Sequence, residues 1–148
     1  MPHRINQNTS SMVAIAVLSP EPENLKAAGL AAQLNIPVTP RSGDHEFLFS
    51  FEPEGLTLIH SDGAKPVLLR AEWLLGKAAH RQGQPEMVSR ALGLRKLESP
   101  HVLDGTAGLG RDTMVLANLG ARVTGVERSP FVFALLNDAW HRAMSDLT

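Results

Sequence analysis

The sequence predicts an α/β protein: the start of a doubly wound, Rossmann-like parallel sheet, preceded by a small α+β unit. Three observations carry this reading. From His101 onward the apolar pattern runs strand, helix, strand, helix, the rhythm of parallel β-α units. A glycine-rich segment, Asp104 to Asp112, stands where the first of these strands must turn into its helix. Upstream, two β-rich runs flank a Pro- and Gly-containing connection, the signature of a hairpin.

Taken in order, residues Met1 to Ser11 are polar and aperiodic and read as a flexible arm. Met12 to Leu18 is a short apolar run that lacks a strong basic leader and is followed by Ser19-Pro20, so it reads as a buried strand and not a signal peptide. Glu23 to Leu34 places Leu25, Ala28, Leu30, Ala31 and Leu34 at largely helical spacing and stops at Asn35-Ile36-Pro37. Glu46 to Phe51 and Leu56 to His60 form the hairpin across Glu52-Pro53-Glu54-Gly55. A short strand at Val67 to Leu69 precedes a helix over Ala71 to Ala79, and Glu86 to Leu94 is a further helix with Gly93 as its stop. The second unit follows: strand His101 to Asp104, helix Arg111 to Leu119, strand Ala121 to Val126, helix Pro130 to Met144. The expected organisation is an arm (1–11), an α+β subdomain (12–96) and the first two β-α units of a ligand-binding domain (97–148).

Composition narrows the function classes. A chain of 148 residues, 43% hydrophobic and 20% charged, suits an ordered globular protein that is too short for two full domains. The absence of cysteine removes disulfides, thiolate metal sites and cysteine nucleophiles, and is compatible with a cytoplasmic protein. No apolar run approaches the roughly 20 residues of a membrane span. A net charge of −1 means that any nucleic-acid contact must come from a local patch. The six histidines show neither H-x-H nor H-x-x-x-H pairing, so no metal is expected.

The segment Asp104-Gly105-Thr106-Ala107-Gly108-Leu109-Gly110-Arg111-Asp112 carries the chemistry. Its three glycines allow positive φ and close approach of a ligand. Glu127, at the end of the next strand, would stand beside this loop and accept hydrogen bonds from ribose hydroxyls. The glycine order is G-x-x-G-x-G, not the G-x-G-x-x-G of a pyrophosphate loop, and Asp104 precedes it. A carboxylate there repels a pyrophosphate but attracts the ammonium of S-adenosylmethionine, which favours the methyl donor over NAD. The plain alternative is a strand-to-helix turn beside an exposed acid.

The same words, continued by Val115-Leu116-Ala117, Gly120 and Val126-Glu127-Arg128-Ser129-Pro130, resemble the ribosomal RNA small subunit methyltransferase J family. Ala79-His80-Arg81 before a helix ending Ala91-Leu92-Gly93 is similar to another of its motifs, so the resemblance covers about Leu69 to Thr148 well and the N-terminal part weakly. It implies a class I methyltransferase fold and transfer of a methyl group from S-adenosylmethionine to guanine N2 of small-subunit (16S) ribosomal RNA. Asp104, Gly105, Gly108, Gly110, Arg111, Asp112, Glu127 and Arg128 would then hold the cofactor, and Lys77, His80 and Arg81 would meet RNA phosphates. The family's segment after the histidine-arginine pair is longer and more basic than Gln82 to Glu86, and its Asp-Pro-x-Phe-Pro motif, which faces the target base, does not occur here. The catalytic residues are therefore expected beyond Thr148, and the chain reads as a truncated form with little or no activity alone. An NAD-dependent oxidoreductase and a non-catalytic fragment that binds RNA or a partner are the alternatives.

The remaining signals read as structural. Phe47, Phe49 and Phe51 alternate along one strand and suit a packed face better than a base-stacking platform. Trp73 and Trp140 are expected to pack, Trp140 with part of its ring exposed. Asp112 could cap its helix as well as touch a ligand.

Overall fold

The computed structural model describes residues 15–21, 23–43, 45–61, 65–73 and 85–145. The arm, the start of the first strand and most of the helix expected over Ala71 to Ala79 lie outside them.

Strand β1 (Ile15–Leu18) leads through a short turn into helix α1 (Leu25–Leu34). Asn24 is its cap: Oδ1 accepts the otherwise unpaired N–H groups of Lys26 and Ala27, at 3.0 and 3.2 Å. At the other end Asn35 takes the left-handed conformation, φ 53°, and returns its N–H to the last turn. The buried stripe is Ala27, Leu30, Ala31 and Leu34. Leu25 and Ala28, expected on that stripe, are exposed, because the spacing i, i+3, i+4, i+7 starts from Ala27.

A two-residue strand β2 (Val38–Thr39), which the sequence did not signal, pairs parallel to β1. Strands β3 (Phe47–Glu52) and β4 (Gly55–His60) form the expected antiparallel hairpin, with Glu52 opposite Gly55, and β5 (Val67–Leu69) joins as an edge. The order in this sheet is β2-β1-β3-β4-β5. Ala71 to Trp73 continue without helical structure, in place of the helix start expected there.

Helix α2 (Pro85–Ala91) is followed by Gly93 in the left-handed conformation, φ 64°, and a 3₁₀ turn at Leu94–Lys96. Then come β6 (His101–Asp104), α3 (Arg111–Asn118), β7 (Arg122–Gly125) and α4 (Pro130–Ser145). Strands β6 and β7 pair in parallel as a two-stranded sheet, with Asp104 opposite Gly125.

Among the described residues the buried side chains gather into two cores. The larger joins Val17, Phe49 and Leu56 of the first sheet and Leu30, Ala31 and Leu34 of α1 to Ala134, Leu135 and Ala139 of α4. Phe49 is fully buried and stacks on Phe131, whereas Phe51 is partly exposed. The first sheet thus packs on a helix that belongs in sequence to the second unit. Asp138 Oδ2 accepts the Leu56 N–H at 3.0 Å, and Arg142 donates to Asp138 at 2.8 Å and to the Ala71 carbonyl at 2.7 Å. The guanidinium of Arg142 lies against Gly55, φ 127°, where a Cβ would stand. The smaller core, Leu94, Leu116 and Ala121 with Val102 and Val123, seats α3 on one face of β6 and β7. On the opposite face Leu103 is 70% exposed, so this part of the parallel sheet is uncovered. No helix among the described residues is long and apolar enough to cross a membrane.

Candidate functional site

The parallel pairing of β6 and β7 builds the site. Their ladder runs one step past the strands, with Val126 N–H donating to the Asp104 carbonyl at 2.8 Å and Ala107 N–H to the Val126 carbonyl at 2.9 Å. Loop and strand end are thereby stitched together, and Glu127 arrives beside the glycines. Its Oε2 accepts the Gly108 N–H at 3.0 Å and its Oε1 the Ser129 N–H at 2.7 Å. Asp104 is held likewise: Oδ1 accepts the Thr106 N–H at 3.2 Å and Oδ2 the Thr113 hydroxyl at 2.5 Å.

Both carboxylates are half-buried and fixed in direction by donors of the loop, of the first turn of α3 and of the entry to α4. Each carboxylate oxygen keeps acceptor capacity beyond the one bond it makes. Two carboxylate acceptors held on one glycine loop can take hydroxyl or ammonium donors and are a poor seat for a pyrophosphate.

The glycines divide their work differently from the expectation. Gly108 and Gly110 have φ 54° and 77°, the left-handed region that favours glycine. Gly105 does not, and a Cβ there would meet nothing within 4 Å. It serves by leaving space above the strand end. Gly110 is sterically required as well: its Cβ would come within 2.6 Å of Leu136 Cδ1 and of Trp73 Cζ2.

Arg111 and Asp112 occupy the exposed first turn of α3. Asp112 is not the cap, since Gly110 holds that position and no side chain bonds the free N–H groups. Its charge still complements the helix dipole, and those N–H groups remain available to a ligand. Arg128 is exposed, one residue beyond Glu127. Lys77, His80 and Arg81 lie outside the described residues. Arg70, a neighbour of that basic run in sequence, is engaged by Glu72 at 2.8 Å and Glu54 at 3.6 Å, which leaves it poorly placed to meet phosphate.

Sequence reasoning missed Thr113, Ser129 and Trp73. Thr113 sits nine residues after Asp104, and only the strand-loop-helix reversal reveals that the two side chains meet. Ser129 before Pro130 was a readable helix start, and its hydroxyl accepts the Val132 N–H at 3.4 Å. Trp73 is remote in sequence, and no local pattern points to the loop.

An apolar cavity of about 370 Å³ lies between α3, β7 and α4 and adjoins the loop, with Trp73, Ala107, Thr113, Val123, Leu136 and Trp140 in its walls. Neither Asp104 nor Glu127 lines it. The polar site is the open ledge at the strand ends.

A parallel strand pair with a glycine loop leading into a helix and an acid at the neighbouring strand end defines the doubly wound nucleotide-binding class. Residues 29–148 match the family described as "Putative SAM-dependent methyltransferase", and the chain belongs to that family. The match begins well upstream of Leu69, so it takes in much of the N-terminal unit. Curated relatives named ribosomal RNA small subunit methyltransferase J include one from Cellvibrio japonicus, 43% identical over 77% of this chain and 46% of the relative. Another, from Ectopseudomonas mendocina, is 39% identical over 82% of this chain and 47% of the relative. The chain therefore spans about half the length of the curated relatives it matches. Among solved structures, a SAM-dependent methyltransferase from Neisseria gonorrhoeae superposes with a TM-score of 0.65 at 27% identity, over 88% of this chain and 52% of that one. The dinucleotide-dependent oxidoreductase alternative is not favoured by these findings.

Proposed function

We propose that the chain carries the cofactor half of an S-adenosylmethionine-dependent methyltransferase that modifies the N2 amino group of a guanine in small-subunit ribosomal RNA, in the cytoplasm. The observation that carries this reading is the ledge itself: two carboxylates, Asp104 and Glu127, both oriented by N–H donors of one glycine loop that has open space at Gly105. Glu127 accepts from the ribose hydroxyls and Asp104 draws the ammonium of the methionine part. The N–H groups at the start of α3, which have no side-chain cap, would meet electron-rich groups of the ligand, and Gly105, Gly108, Gly110, Arg111, Asp112 and Arg128 would form its remaining surroundings.

When bound, the cofactor would supply an electrophilic methyl group on its sulfonium sulfur, and its transfer to the guanine amino nitrogen would release the thioether and one proton of that amino group. The protein's part is to fix the donor so that the nitrogen's approach is populated. Phosphate contacts are assigned to Lys77, His80 and Arg81. Groups that aim at the guanine amino group are assigned to the portion of the relatives that this chain does not span. Residues 12–96 are read as a subdomain that docks on residues 97–148 through α4.

Calorimetric titration of the chain with S-adenosylmethionine and, separately, NAD tests the cofactor half of the proposal: heat is expected with the first alone. The substrate half calls for the longest natural form of the protein, incubated with the methyl donor and small-subunit RNA. Guanine N2 left unmethylated there would rule that half out.

A further inference from the structure

We infer that Trp73 is a positioning residue for the glycine loop, supplied from outside the β-α unit that contains it. The inference rests on the cofactor reading above, and three separate contacts support it. The indole Nε1–H donates to the Leu109 carbonyl at 2.9 Å, in the middle of the loop. The six-membered ring lies against Gly110, where a Cβ would come within 2.6 Å of Cζ2. The ring is held in turn by Trp140 of α4, edge to face with centroids 6.0 Å apart.

The chain order makes the contact informative. Trp73 follows β5 by a few residues and comes 36 positions before its partner Leu109. It belongs to a stretch whose backbone is itself tied down, because the Ala71 carbonyl accepts from Arg142 of α4. The loop carbonyl it binds has no partner in a strand or helix ladder, since Leu109 stands between the β6-β7 pairing and the first turn of α3. The first unit thus adds an anchor at Leu109 to a loop that its own unit holds through the Asp104 and Glu127 bonds, the Ala107 N–H to the Val126 carbonyl and the Gly110 N–H to the Ala107 carbonyl. Removing the indole donor leaves Asp104 and Glu127 in place but lets Leu109 and Gly110 move, which lowers the fraction of loops in the binding geometry.

The test compares Trp73→Phe, which loses the N–H donor, with Trp140→Phe, which loses part of the edge contact and keeps the Leu109 bond. Amide hydrogen exchange across Ala107 to Arg111 is measured in the 148-residue chain without ligand. One hydrogen bond of ordinary net worth corresponds to about a five-fold change in opening, so exchange in Trp73→Phe should rise by about that factor relative to Trp140→Phe, with β3 and β4 unchanged. Affinity for S-adenosylmethionine should fall by a similar factor in Trp73→Phe alone. Equal loop exchange in the two variants overturns the inference. Should Trp73→Phe fail to fold, benzothienylalanine at position 73, which replaces N–H by sulfur in a ring of the same shape, carries the same comparison. If loop exchange rises as stated but wild type binds no S-adenosylmethionine, the positioning of the loop stands and the cofactor reading falls.

Discussion

Replacing Gly110 or Gly105 by alanine separates the two jobs that glycines perform in this loop. At Gly110 the added methyl would sit at φ 77° and within 2.6 Å of both Leu136 Cδ1 and Trp73 Cζ2. A non-glycine residue in the left-handed region costs roughly 1–2 kcal/mol. Forcing a methyl into a packed contact costs about 1–3 kcal/mol more, and relaxation of the Leu136 side chain places the sum at roughly 2–4 kcal/mol. At Gly105 neither cost applies, since its φ is not positive and nothing lies within 4 Å of the built Cβ. Gly105→Ala should therefore unfold within about 0.5 kcal/mol of wild type, yet bind S-adenosylmethionine more weakly because its methyl occupies the ledge. Urea unfolding followed by circular dichroism measures the first quantity and calorimetry the second. Gly110→Ala as stable as wild type would show that Trp73 and Leu136 do not close on the loop, and the account of the loop's packing would have to be given up.

Other substitutions probe the two acids and the docking of α4. Glu127→Ala removes the acceptor of both the Gly108 and Ser129 N–H groups, each bond to a charged group being worth about 1.5–3 kcal/mol; S-adenosylmethionine affinity measured by calorimetry should fall at least ten-fold. Thr113→Val frees Asp104 Oδ2 and should weaken binding several-fold, while Thr113→Ser, which keeps the hydroxyl, should bind like wild type; equal affinities would deny Asp104 a role. Arg142→Ala cuts the ties to Ala71 and Asp138 and should lower unfolding stability by about 1–2 kcal/mol, scaled down for a partly exposed side chain, as read by denaturant midpoint. The chain has two tryptophans, so fluorescence can separate them: S-adenosylmethionine should shift emission in Trp140→Phe and leave Trp73→Phe unchanged.

The parts of this structure that were readable in the sequence are those whose causes are local. Strand β6 and helix α3 came out with nearly their observed bounds because apolar period, glycine loop and strand-end acid all fall within thirty residues. The hairpin was legible because Pro53 and Gly55 punctuate two strongly β-prone runs. What failed depends on distant partners. Strand β2 is two residues long and exists because β1 offers an edge in parallel register. Ala71 to Trp73 carry a helix-compatible composition, but the Ala71 carbonyl is taken by Arg142 and the Trp73 indole by Leu109, so tertiary bonds override local preference. Within the loop, a glycine needed for positive φ and one needed for empty space look alike in sequence, and only the backbone separates Gly108 and Gly110 from Gly105.

The two acids raise a consequence for affinity. Glu127 and Asp104 are already satisfied by protein donors, so a ribose or an ammonium must either share their oxygens or displace a loop N–H. Sharing is geometrically open, because each oxygen accepts more than one bond and both side chains are only half-buried. Displacement would instead strand the Gly108 N–H unless the ligand itself offers an acceptor to it. A cofactor with both hydroxyl donors and a carboxylate acceptor can serve either route, whereas a ligand with donors alone can use only sharing. Adenosine, which lacks the carboxylate, should therefore bind more weakly than S-adenosylhomocysteine, and Gly108 should show the largest amide shift between the two complexes by NMR. A pair of complexes with identical Gly108 shifts would place the ligand carboxylate away from the loop and leave sharing as the only route.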